Sequence, residues 1–191
     1  MKRLIRSDRG FTLAELAMYG LLLSIVVAVG AGIVISGTVA EKTVRTVIGA
    51  STQGQLAADS IETGVRNSAG YSVTEPFTGT QLLSARVAQG TSAAIQWSCA
   101  AWFYTPFIKD GSIWYTTSAT AVPNPDASSD LSTWVLLVDN VEPASGSNIF
   151  SVSGDQMVFS FETRAGEDDP PASIASSASS RAEIWETAPC F

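Results

Sequence analysis

Glu15 is the residue in this sequence whose surroundings most demand a chemical explanation. Phe11, Thr12, Leu13 and Ala14 precede it, and 25 residues without a formal charge, Leu16 to Ala40, follow it. A carboxylate in a membrane-spanning helix costs about 2.5–3.5 kcal/mol at the helix centre and less near the interface. It therefore either reaches back to water or finds a cation. Lys2, Arg3, Arg6 and Arg9 all lie before Gly10. A cut between Gly10 and Phe11 would create an α-amino group four residues from Glu15, cationic at neutral pH with a pKa of about 8. That amine could meet the carboxylate within one helix or between neighbouring copies.

Other chemistries find less support. The chain contains no histidine, so histidine-based triads and histidine-ligated metals are excluded. Neither a Gly-x-Ser-x-Gly elbow nor a phosphate loop or dinucleotide fingerprint is present. No catalysis and no cofactor are expected. Cys99 and Cys190 fit no zinc or thioredoxin spacing. In an exported domain two such thiols pair more often than they stay free, whereas a reducing compartment would keep both free. A Cys99–Cys190 bridge would stabilise by about 4 kcal/mol through loop closure. Glu167, Asp168 and Asp169 offer oxygen ligands for calcium, although a solvated acidic loop is commoner. Trp97, Trp102, Trp114, Trp134 and Trp185 are expected to fill a helix–sheet core, with one exposed; a ligand-binding patch is the alternative.

The charge balance narrows the partners. The net charge is −7, and without the first ten residues 7 basic face 17 acidic residues, a balance of −10. No local basic patch reverses that sign, so direct nucleic-acid binding is not expected.

The elements that place Glu15 begin with the apolar run. It is long enough to cross about 30 Å of hydrocarbon as a helix. Basic residues before it predict a cytoplasmic N-terminus and an extracytoplasmic body. A secretory signal usually has a shorter apolar region, although Thr38-Val39-Ala40 offers a weak cleavage site. An ordinary single-pass anchor is the other competitor. Gly20, Ser24, Ala28, Gly32, Ser36 and Ala40 recur four apart. Small residues at this interval let helix backbones approach closely in lipid, and the drift of the row suits several neighbours.

Gly10-Phe11-Thr12-Leu13-Ala14-Glu15-Leu16, after a short basic leader and before an apolar helix, resembles the cleavage and methylation signal of type IV prepilins and pseudopilins. The resemblance covers about the first forty residues. It implies cleavage between Gly10 and Phe11 by a prepilin peptidase, N-methylation of Phe11, and pairing of Glu15 with a neighbour's terminal amine during assembly. The partners it implies are other pilin or pseudopilin subunits, inner-membrane assembly machinery and, before assembly, membrane lipid. One departure is Gly32, where many members have proline; Gly30, Gly32 and Gly37 would weaken the helix instead, at about 1 kcal/mol each relative to alanine.

The expected fold class is α+β: a long N-terminal helix, its first half transmembrane, packed on a mainly antiparallel C-terminal sheet domain in a pilin-like arrangement. The expected division is a leader over 1–10, an assembly helix over 11–40, an amphipathic continuation over 41–67 and a β-rich domain over 68–191. In the continuation, Val44, Val47, Ile48, Leu56, Ile61 and Val65 recur at mostly helical spacings, while Gly49, Gly54 and Gly64 argue against an unbroken helix. Ser68-Ala69-Gly70 reads as its stop.

Strands are expected over 81–88, 94–98, 102–105, 112–117, 133–141, 148–152, 155–163 and 182–187. Lys109-Asp110-Gly111 and Ser153-Gly154-Asp155 read as hairpin turns. Residues 122–130 read as a loop, and 165–180 as a mobile polar segment. Two functions follow: a structural filament subunit, or a membrane-anchored adhesin or ligand-binding module that never polymerises.

Overall fold

A computed structural model describes residues 12–91, 94–166, 169–181 and 190–191. Its contacts divide the chain into two compact units, 1–44 and 45–191.

Helix α1 (Leu13–Arg66) belongs to both, and it is unbroken. In the first unit, large apolar side chains from Leu13 to Ile35 and at Val44 are exposed. In the second unit the helix buries Ala50, Gly54, Ala57, Ala58, Ile61, Gly64 and Val65, which recur at helical spacing. Ile61 and Val65 are core residues as expected, but Val44, Ile48 and Leu56 are exposed. The buried face consists mainly of small residues. Two of the glycines expected to interrupt the helix explain why it tolerates them. A Cβ at Gly64 would overlap the Trp102 indole, and one at Gly54 would overlap Ile174. Close packing against these side chains offsets their poor helix propensity.

The helix ends without a separate stop. Ser68 Oγ donates to Val65 O at 2.7 Å, Ala88 N to Asn67 O at 3.1 Å and Arg181 N to Arg66 O at 3.4 Å. These bonds satisfy terminal carbonyls that the helix itself cannot pair. Ser68-Ala69-Gly70, read as a stop, instead lies buried at the start of β1 (Ser68–Thr74).

The first sheet is an antiparallel meander in the order β1-β2-β3-β4-β5, adding β2 (Gln81–Thr91), β3 (Ala94–Thr105), β4 (Ser112–Ser118) and β5 (Val135–Asp139). The two expected strands over 94–98 and 102–105 are one, paired with β2 from Ala94 to Tyr104. At the β3–β4 hairpin Lys109, Asp110 and Gly111 all have positive φ, and a Cβ at Gly111 would overlap the Val141 carbonyl. The stretch expected as one strand over 133–141 breaks at Asn140 (φ 51°), which separates β5 from β6 (Val141–Pro143).

The second sheet is built on β8 (Gln156–Thr163), with β6 and β7 (Phe150–Ser153) on one side and β9 (Ala172–Ser179) on the other. Met157, Phe159 and Phe161 alternate into the core as their pattern predicts. Half of the segment expected to be mobile is β9, paired residue for residue with β8. Its sequence, Ala-Ser-Ile-Ala-Ser-Ser-Ala-Ser, has little apolar surface, so ladder hydrogen bonds and the contact of Ile174 with the helix hold it. The strand expected over 182–187 lies outside the described residues.

One core joins Ile61 and Val65 of the helix, Leu83, Ala85, Trp102 and Ile113 of the first sheet, and the β8 triplet. Gln81 ties the sheets together. Its buried amide accepts from Ile149 N at 2.6 Å and Phe150 N at 2.9 Å, and donates to Phe150 O at 3.0 Å. A second core lies on the opposite face of the first sheet, where Leu82, Ala101 and Phe103 meet Leu131.

Candidate functional site

Glu15 sits in the first turn of α1 and forms a reciprocal cap with Thr12. Its amide donates to Thr12 Oγ1, while its Oε2 accepts from the Thr12 amide and hydroxyl, each at 3.3 Å. Thr-x-x-Glu is the capping-box spacing, and its bonds satisfy amides at a helix start. Thr12-Leu13-Ala14-Glu15 carries this signal in the sequence itself. Glu15 is therefore held at the helix N-terminus, where the helix dipole also favours an anion. Gly10 and Phe11 lie outside the described residues.

The small-residue row Gly20, Ser24, Ala28, Gly32, Ser36 and Ala40 lies along the exposed part of α1. A Cβ at Gly20 or Gly32 would meet nothing, and Ser24 Oγ donates to Leu21 O at 2.7 Å, as serines in apolar helices do.

Cys99 and Cys190 form a disulfide, with Cα atoms 5.4 Å apart and a sequence separation of 91. Cys99 alternates with Ala101 and Phe103 on β3, so the bridge pins the C-terminal end to the face of the first sheet opposite the helix. Closing so long a loop stabilises by about 2–5 kcal/mol.

The tryptophans divide between the two faces. Trp102 fills the helix–sheet core, and its Nε1 donates to Ser60 Oγ at 3.0 Å. Trp114 and Trp134 instead pack on the second core, which the single-core expectation did not include. Trp97 is exposed beneath the Arg86 guanidinium, 4.9 Å from its ring centroid. Trp185, Glu167 and Asp168 lie outside the described residues. Among the described residues no three His, Cys, Asp or Glu side chains group as metal ligands.

Sequence reading missed an apolar pocket of about 410 Å³ on the second-core side of the first sheet. Phe103 forms part of its lining, and Phe77, Phe107, Leu131 and Asp126 come from three different connections between strands. Phe77 stacks on Phe107 at a centroid distance of 6.0 Å and tilts against Phe103 at 6.2 Å. Nothing local in the sequence signals this convergence, because the three phenylalanines are separated by strand and turn.

Asp126 Oδ1 accepts from Ser128 N and Oγ, each at 2.8 Å, and from Ser129 Oγ at 3.1 Å. These bonds to the charged form hold its carboxyl below the usual range. Asp130 is lowered in the same way by the hydroxyl and amide of Ser132.

No protein-family model matches the sequence, and neither the curated proteins nor the solved structures yield a match.

Proposed function

We propose that the chain is a structural subunit of a type IV pilus-like or type II secretion-like filament. One observation carries this reading: an exposed apolar segment, long enough to span a membrane, continues as the same helix that forms the spine of a disulfide-bonded β domain. Such a helix can rest in lipid and then exchange lipid for the helices of neighbouring copies. The domain remains outside the membrane in both states.

The Thr12–Glu15 cap gives the N-terminus a part in that exchange. Cleavage between Gly10 and Phe11 places a cationic amine one residue before Thr12, beside a carboxylate already bound to the Thr12 amide. The amine can replace that amide as partner within its own chain or reach the Glu15 of a neighbour. The proposed role is non-catalytic: the helix associates, and the domain is displayed.

Intact mass and N-terminal sequencing of protein recovered from its native membrane test this proposal. The expected species begins at N-methylated Phe11. A chain retaining Met1 to Gly10, in cells with an active prepilin peptidase, would overturn it and leave an anchored surface domain.

A further inference from the structure

The aromatic pocket on the second core is built in a way that packing alone does not require. Phe103 is only 2% exposed, so it forms a fixed floor, whereas Phe107 is 68% exposed and stands as an open wall. Phe77 touches both rings. The face of each ring carries partial negative charge and attracts cations.

Among the described lining residues Asp126 is the only charged side chain, and none is a lysine or arginine. Three hydrogen bonds from the following serines fix the Asp126 carboxylate in its ionised form. The rings and the carboxylate thus line one pocket, in a chain whose net charge is −7.

We propose that this pocket binds a quaternary alkylammonium cation of the trimethylammonium type. The choice follows from hydrogen-bonding capacity. A primary ammonium has three donors to satisfy, yet Asp126 Oδ1 already accepts three bonds, which leaves Oδ2 as the carboxylate oxygen open to it, and most of the lining is carbon. A trimethylammonium group has no donors and presents methyl groups to the rings. Leu131 and Ile108 accommodate the carbon chain that carries it, and the volume of about 410 Å³ leaves room for both parts. A bare metal ion would lose its hydration here without gaining enough oxygen ligands. This site lies wholly within the β domain and does not depend on the filament reading.

The same headgroup chemistry occurs in free choline and in phosphate-linked choline, so both are used as probes. The full chain, held in a non-ionic detergent free of choline groups, is titrated with choline, phosphocholine and 3,3-dimethylbutan-1-ol. The last is the uncharged isostere of choline.

Proton NMR reports whether the methyl protons lie over the rings, because ring currents shift them upfield. At least one of the two cations is expected to show that shift and to bind about tenfold more tightly than the neutral isostere. Tighter binding of choline identifies the free cation as the better ligand, and tighter binding of phosphocholine identifies the phosphate-bearing form; both support the site.

Phe107→Leu keeps an apolar wall but removes a ring face, and it should weaken the cation severalfold while leaving the isostere unchanged. Its exposure makes that substitution compatible with folding, which the unchanged Trp emission of the free protein verifies. Asp126→Asn should weaken the cation as well. Equal affinity for choline, phosphocholine and the isostere, no binding of either cation, or an unaltered cation affinity in Phe107→Leu would overturn the proposal.

Discussion

The two parts of α1 use small residues in opposite ways. Before Val44, glycines such as Gly20, Gly30 and Gly32 face open space, and the large side chains beside them are exposed. After Arg45, Gly54 and Gly64 are filled by Ile174 and Trp102, and small residues form most of the buried face. The same residue type therefore faces open space in one unit and, at Gly54 and Gly64, packed side chains in the other. Glycine alone does not reveal which, since the partner decides.

That contrast is most sharply broken by removing a partner. Trp102→Ala empties the space over Gly64 and deletes the bond to Ser60, so unfolding of the β domain should lose about 3–5 kcal/mol. Urea denaturation of the full chain in detergent measures the loss. A change below about 1 kcal/mol would mean that the surrounding core collapses into the space.

A matched pair of glycine substitutions sharpens the contrast at smaller amplitude. Gly64→Ala forces a methyl group into the indole, costing about 1–3 kcal/mol. Improved helix propensity returns at most about 1 kcal/mol of that. Gly32→Ala meets no atom in the chain, so the β domain should keep its unfolding midpoint. Under the filament reading, Gly32→Ala should instead reduce assembly, measured as the pelletable fraction of the mature protein. Equal loss of domain stability in both variants would remove the distinction between the two parts.

The smallest expected effect is one of pH, in the loop over the second core. The folded pKa values of Asp126 and Asp130 are depressed. Their contribution is present above the unfolded value of about 3.9 and is lost as pH falls through the folded value. NMR titration should place both midpoints below that of free aspartate, and Ser128→Ala should raise the Asp126 midpoint. Because both carboxylates are exposed, the global midpoint of unfolding should hardly change.

Legibility in the sequence followed the range of the interactions involved. The β3–β4 hairpin was readable because Asp110-Gly111 accepts positive φ locally, and β8 because its apolar residues alternate. The break at Asn140 was not readable, since Val135 to Val141 reads as one run and the left-handed residue within it is not glycine. β9 was misread because its composition is that of a loop; its pairing with β8 overrides that composition. The candidate pocket was still less legible, for its walls come from three separate connections.

The sequence by itself determined the apolar span, the position of Glu15 and its cap, the acidic balance and the availability of two cysteines. Each depends on residues close in the chain or on simple counts, for which covalent order suffices. Tertiary structure decided which helix face is buried, that Cys99 meets Cys190, that Gln81 joins two sheets, and that Phe77, Phe103 and Phe107 share a pocket with Asp126. Those contacts join residues remote in sequence, and their partners are fixed only when strand register and helix packing are satisfied together.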